Sequence, residues 1–323
     1  MMSQFIKIVT FACIILLGSG WAQQDCSYCK KELLGEYLTS AKGSYHPSCY
    51  RDHVQPRCDH CGKLIEDTYK ILDDKSYHNS CYTEHVLDKC DVCRQPLEGT
   101  YVTDYWGNAY HKYHEQGTPD CGSCGRLISK RMSKGGVTLG DGRMVCGICQ
   151  STAVTDQTIR DSYQREVLSL LEQHGIDDLP DDIPITLVDA KTLKNLSSVN
   201  SNDMRAFTDQ RSEQINGQIV SRKSHIYVLT HLPLTVFKAI LAHELLHVYL
   251  FEHDLDLPSD VREGFCNLGS ELVYEYENTP LADFHLQNMK KNRHPDYGAG
   301  YRKMSEQLNQ KGWVQLLDDL NSL

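Results

Sequence analysis

The sequence predicts an α+β chain in two parts, a tandem of small β-rich metal modules followed by a mainly helical domain with a small sheet. Three observations carry this reading. Twelve of the 14 cysteines fall between Cys26 and Cys149 in a repeating pattern. The composition changes near Gln150, where the cysteines stop. Beyond it lie strand-like apolar runs and one long apolar stretch of helical character. With 323 residues, 40% hydrophobic and 24% charged, the chain has room for about two domains.

The first element is an address. Met1–Ala22 has the form of a signal peptide: Lys7, then an apolar run from Ile8 to Leu17, then small residues Gly20 and Ala22 before Gln23. The run is too short to span a bilayer, and no later segment is expected to span one. The mature chain is expected to be exported, periplasmic or secreted. The division is therefore 1–22 signal peptide, 23–150 metal modules and 151–323 the helical domain.

The modules come next. Cys26-x2-Cys29 is followed after sixteen residues by His46-x2-Cys49, and Cys58-x2-Cys61 after sixteen by His78-x2-Cys81. Cys90-x2-Cys93 is followed after seventeen by His111-x2-His114, and Cys121-x2-Cys124 after twenty-one by Cys146-x2-Cys149. A Cys-x2-Cys knuckle turns two thiolates toward one point, and a second pair completes a tetrahedral zinc site. Units this short cannot bury enough apolar surface to fold unaided, so metal supplies the stability. Export favours disulfides as the competing reading. Disulfides, however, give no reason for a His at the third ligand place, nor for His114 where the earlier copies have Cys49 and Cys81. His53 and His85 are alternative ligands, read here as surface histidines, and His60 is read as exposed. The spacing resembles LIM domains module by module, although an ordinary LIM domain joins its modules by a shorter linker than the eight, eight and six residues found here. Closed sites of this kind read as scaffolding for protein interaction.

Charge narrows the partners. Residues 23–150 hold 16 Lys/Arg against 17 Asp/Glu, and residues 151–323 hold 16 against 26. Neither half is the basic surface that nucleic acid or an anionic membrane requires. Filling the four sites makes the first half more acidic still, because zinc replaces thiol protons by thiolates. No nucleic acid and no stable membrane insertion are expected.

In the acidic half, Thr158 to His174 has helical spacing and ends at Gly175. Ile185–Val188 and Gln218–Leu229 read as strands. Pro233 then opens a long helix through Phe251 that contains His243-Glu244-Leu245-Leu246-His247. Histidines at i and i+4 stand one turn apart on one face, the separation two ligands of one metal need. Glu244 beside them is placed to take a proton from metal-bound water and pass it to a leaving amine. The next helix, from Ser259 after Pro258, offers the third ligand. Glu263 is favoured because Gly264 lets two helices approach closely, and Asn267 one turn later is placed to orient a ligating histidine. His253 is the alternative ligand, and Glu271 and Glu275 are assigned to the solvated face.

The stretch Ile240-Leu-Ala-His-Glu-Leu-Leu-His-Val-Tyr, with Arg262-Glu-Gly-Phe-Cys-Asn, resembles the peptidase domain of the plant organ-size-control peptidases, the LIM-containing "DA-one" family of ubiquitin-activated zinc peptidases. Ile183-Pro-Ile-Thr-Leu-Val-Asp and Tyr297-Gly-Ala-Gly-Tyr-Arg agree, so the likeness covers residues 158–318. It implies a zincin fold of gluzincin type, His243, His247 and Glu263 as zinc ligands, and Glu244 as the catalytic glutamate. Cys266 matches the family's cysteine after Glu-Gly and is read as a packed core thiol. Those plant proteins are intracellular; for an exported chain, ubiquitin is not an expected partner.

The Tyr297–Arg302 segment offers Tyr297, Tyr301, His294 and Arg302 as groups to hydrogen-bond a developing oxyanion. A glycine turn introducing the last helix is the equal alternative. The expectation is an exported zinc metalloendopeptidase with one catalytic and four structural zinc ions, acting on a protein or peptide substrate that the modules recruit. Substrate backbone is expected to pair with the edge of the strand near Gln218–Leu229. The alternative function is an extracytoplasmic adaptor with a latent peptidase domain.

Overall fold

The protein is described by a computed structural model over residues 7–9, 14–17, 24–180, 182–197, 204–216 and 218–322. It is a mixed α+β structure of small sheets and Cys/His clusters followed by a helical C-terminal part. Most of the expected signal segment, Met1–Ala22, lies outside the described residues. The exceptions are two short strands, Lys7–Val9 and Ile14–Leu17, paired antiparallel with Tyr69–Leu72 and Glu36–Ser40.

Each module is built the same way. The residue after the knuckle's second cysteine (Lys30, Gly62, Arg94, Gly125) takes a positive φ, between 60° and 73°. Its N–H then bonds the carbonyl of the first cysteine, and that cysteine's N–H bonds a carbonyl one residue further on (Lys31, Lys63, Gln95, Arg126). The chain is thereby folded back so that both sulfurs face one side. A hairpin follows, as in Tyr69–Leu72 with Lys75–His78, and ends at or beside the third ligand. A short helical segment of three to seven residues then carries the fourth.

The chain divides into two compact units, 1–103 with 109–112, and 104–108 with 113–323. This division falls well before the composition boundary near Gln150. The fourth module belongs to the same unit as the helical domain because Ala153–Val154 pairs with Leu232–Pro233. Asp141 also accepts the N–H of Ala190, and Leu281 packs against the module's buried cysteines.

Within that unit, α1 (Gln157–Glu172) precedes β1 (Ile185–Val188) and α2 (Ala190–Ser197). A long hairpin follows, β2 (Ala206–Ile215) and β3 (Gln218–Leu229), and then α3 (Leu234–Glu252) and α4 (Ser259–Glu277). The last helices are α5 (Pro280–Lys291) and α6 (Tyr301–Asn321), the latter interrupted at Gly312 with φ 75°. In the sheet β3 is central, parallel to β1 and antiparallel to β2. β2 covers one edge of β3 along its length and is itself an edge strand, while on the other edge of β3 the strand β1 pairs only with Ile226–Leu229.

By length and apolar composition α3 qualifies as a membrane-crossing helix among the described residues, contrary to expectation. It lies inside protein, with Val236, Phe237, Leu241, Leu245, Leu246 and Val248 at 0% exposure. Its near-continuous apolar character reflects burial on several faces, against β2, α1 and α4.

Candidate metal centre

Four Cys/His sets and one His/Glu set bring their ligand atoms within 4.8 Å of one another. The first four are Cys26, Cys29, His46, Cys49; Cys58, Cys61, His78, Cys81; Cys90, Cys93, His111, His114; and Cys121, Cys124, Cys146, Cys149. Every described cysteine is a free thiol, and the module cysteines gather in clusters rather than in pairs. In the first three modules the histidine turns its Nδ1 to a sulfur, at 3.5, 3.4 and 3.6 Å from Cys29, Cys61 and Cys93. Its Nε2–H donates to a backbone carbonyl at 3.0 Å (Glu32, Leu64, Pro96). A carbonyl only accepts, so the tautomer is fixed and Nδ1 is left bare for metal.

The first cysteine of each of these modules titrates at about 6. Burial opposes this, but it is outweighed by backbone N–H groups of the knuckle and the ligating histidine aimed at the sulfur. Such thiols are thiolates at neutral pH, the form zinc binds. The clusters fit LIM-type zinc. His53 stacks on Tyr28, and His60 stacks on His85 at 4.1 Å, outside the ligand sets.

The fifth set is His243, His247 and Glu263. The two Nε2 atoms lie 3.2 Å apart, and Glu263 Oε2 lies 3.5 and 3.6 Å from them. For ligands about 2.0–2.1 Å from one tetrahedral ion, neighbouring donor atoms stand about 3.3–3.4 Å apart, so this triangle has the size zinc requires. Glu263 Oε2 is buried and accepts no hydrogen bond. Nδ1 of His243 is 3.1 Å from Asn267 Oδ1; an amide oxygen accepts, so the proton sits on Nδ1 and Nε2 offers its lone pair. Burial alone would raise the Glu263 carboxyl, but the imidazoles of His243 and His247 beside it hold it well below the carboxylate range. Burial opposes protonation of His247, yet Cys266, Glu263 and Glu244 together hold it well above the ordinary histidine value. The donor set fits zinc.

Glu244, between the histidines in sequence, is 7% exposed and accepts the hydroxyl of Thr208 on β2 at 2.6 Å. Gln210, two residues on, donates to the carbonyl of His247 at 2.9 Å. Neither residue was indicated by the sequence; only the pairing of β2 as the edge strand brings them to α3.

The remaining candidates separate. His253 is ruled out as third ligand, because its Nε2 pairs with Asp178 at 2.6 Å. Tyr297 is at the site: its carbonyl accepts Asn267 Nδ2 at 3.2 Å, and burial with the nearby Glu263 charge pushes its ionisation up. Tyr301 is not. Its ring is buried, its hydroxyl donates to Glu271 at 2.8 Å, and it lines an open cavity of about 420 Å³ with Arg302. Glu271 is correspondingly buried at 7% exposure rather than solvated. His294 caps the turn after it, accepting N–H groups of Asp296 and Tyr297, and Arg302 donates to the carbonyls of Lys290 and Asn292.

Gly264 serves a different neighbour from the one expected. A Cβ there would stand 2.5 Å from the carbonyl oxygen of Gly300, so it admits the Tyr297–Gly300 turn. The close approach of α3 and α4 is at Gly269, against the Ala242 carbonyl. Cys266 is fully buried beside His247, and burial pushes its thiol up.

Residues 149–279 match the family model DA1-like, Protein DA1. LIM domain-containing protein HDR3 of Oryza sativa subsp. japonica is 28% identical over 214 residues, 54% of this chain and 40% of that protein. Protein DA1-related 2 of Arabidopsis thaliana is 30% identical over 205 residues, 54% of this chain and 38% of that protein. Protein DA1-related 6 of the same plant is 26% identical over 210 residues, 55% and 32%. The match spans two fifths or less of the length of these curated relatives. Residues 149–279 thus carry a DA1-like domain, and with its Cys/His clusters the chain is similar to the LIM-containing, DA1-related proteins over about half its length.

Proposed function

We propose that the chain is an exported zinc metalloendopeptidase whose modules recruit a protein substrate. The observation that supports it best is the zinc-sized triangle of His243, His247 and Glu263 with Glu244 beside it. A zinc ion held there supplies Lewis acidity toward the scissile carbonyl and the attacking water. Glu244 accepts a proton from that water and delivers it to the amide nitrogen as the C–N bond breaks. Asn267 keeps the His243 ring in the orientation that bares Nε2. Tyr297, 44% exposed and within reach of Glu263, is the group available to donate to the carbonyl oxygen as charge develops.

Extended substrate backbone has the outer edge of β2 to pair with, which among the described residues pairs with no strand. Export rests on the Lys7, Ile8–Leu17, Gly20 and Ala22 pattern. It is tested by cell fractionation and by N-terminal sequencing, which should begin at Gln23. The reaction is tested by hydrolysis of an unfolded protein by wild type and by Glu244→Gln. Glu244→Gln should bind zinc as wild type does and lose cleavage; equal cleavage by both rejects the mechanism.

A further inference from the structure

We infer that Thr208 is a positioning residue for Glu244, fixing which carboxylate oxygen handles the proton; the inference rests on the peptidase reading above. Its Oγ1 lies 2.6 Å from Glu244 Oε2, short enough for a hydroxyl donating to an ionised carboxylate. The terminal torsion of a glutamate is soft and nearly two-fold, so burial alone does not set which oxygen points where. A hydroxyl hydrogen on Oε2 breaks that degeneracy. The proton taken from the attacking water then goes to Oε1, and from Oε1 to the leaving nitrogen, with no net change at Oε2.

The support is rigid. β2 is paired with β3 residue by residue from Ala206 to Ile215, with one irregularity at Glu213/Gln214. Residues 208 and 210 share one face of the strand, as i and i+2 must. One holds Glu244 and the other the carbonyl of His247, so the strand grips the motif at two points a turn apart on α3. The same strand offers its outer edge to substrate, so the strand that positions the proton acceptor also carries the bond to be cut.

The competing role is a mere peg between strand and helix. Thr208→Val keeps the shape and removes the hydroxyl, and Thr208→Ser keeps the hydroxyl. With an unfolded protein substrate, Thr208→Val should lose about 10- to 100-fold in kcat, the equivalent of one hydrogen bond to a charged group. KM should stay within about twofold, with zinc content and Tm unchanged, and Thr208→Ser should recover most of the rate. A Thr208→Val kcat within about twofold of wild type overturns the inference. So does a loss shared by Thr208→Ser and tracking Tm. If wild type and Glu244→Gln do not differ in cleavage, the peptidase reading itself has failed. Crystal structures of the zinc-loaded variants then decide the positioning role. A rotated or doubled Glu244 carboxylate in Thr208→Val, single again in Thr208→Ser, supports it; an unmoved carboxylate overturns it.

Discussion

Gly264→Ala tests whether the turn carrying Tyr297 bears on the helix carrying Glu263. The new methyl would lie 2.5 Å from the oxygen and 2.6 Å from the carbon of the Gly300 carbonyl, and 2.9 Å from Met304 Cγ. The methionine can swing aside, but the backbone cannot, because Gly300 is itself pressed against the Asp260 carbonyl. Restoring ordinary contact needs a shift of several tenths of an ångström against backbone, and overpacking, typically about 1–3 kcal/mol, should here cost about 3 kcal/mol. Alanine returns up to about 1 kcal/mol of helix propensity, which leaves a net loss of about 2 kcal/mol. For a unit of this size each kcal/mol moves Tm by about 2–4 °C, so the midpoint should fall by about 4–8 °C. Thermal unfolding of the zinc-loaded protein measures it. Gly140→Ala is the control, since nothing lies within 4 Å of a Cβ there and its φ is not positive; it should be neutral. A Gly264→Ala midpoint within about 1 °C of wild type would refute the contact, and with it the route by which Tyr297 is placed.

Three further outcomes follow from the same geometry. Metal analysis should give about five zinc ions per chain, with the one at the open three-ligand site removed first by chelator; about one zinc with few free thiols would favour disulfides. Cys146→Ser should lower the midpoint of the unit holding α3 on the order of 10 °C, whereas Cys26→Ser should not, because the fourth module lies wholly in that unit and the first wholly outside it; equal effects would contradict the division. His285, buried at 8% exposure, titrates at about 3 because burial, then Arg205, disfavours its charge against the Ser123 carbonyl. The unfolded chain therefore binds the extra proton between about pH 6.5 and 3, so stability is full above 6.5 and falls as pH drops, at up to about 1.4 kcal/mol per unit. His285→Phe, which keeps the ring stacked on Tyr274, should flatten that slope in denaturant titrations; an unchanged slope would assign it to other groups.

The zinc modules were legible because their chemistry is local. Two ligands two residues apart, a left-handed residue after them and a second pair beyond a hairpin are fixed by short-range geometry, so spacing alone grouped Cys26, Cys29, His46 and Cys49. The nitrogen used was not legible, since Nδ1 or Nε2 depends on whether a carbonyl such as Glu32 O faces the ring. His243, Glu244 and His247 were likewise legible through the helical repeat. Glu263 was chosen on the glycine that follows it, although Gly264 makes room for the Gly300 carbonyl rather than for α3. Glycine spacing reports a close approach without saying what approaches.

Residue type proved a poor guide where the partner comes from far along the chain. Tyr297 and Tyr301 look equivalent in sequence, a tyrosine on either side of Gly-Ala-Gly, yet Tyr297 lies where Glu263 bears on its ionisation and Tyr301 donates to Glu271. The difference is position on the Pro295–Gly300 turn. Tyr297 sits in its middle, held by Asn267, while Tyr301 opens α6 and points into the helix packing. Glu271 reads as a surface residue until that hydroxyl and Ser305 arrive to satisfy it. Ala206–Ile215 failed for a related reason. Its outer half is exposed on both faces, so the alternation that marks a half-buried strand is erased where the hairpin leaves the core. In its inner half the two residues that hydrogen-bond α3, Thr208 and Gln210, are polar because their targets are a carboxylate and a backbone carbonyl. A strand that grips the helix of His243 and Glu244 by hydrogen bonds carries no apolar stripe to announce it, and is found by asking which donor satisfies Glu244.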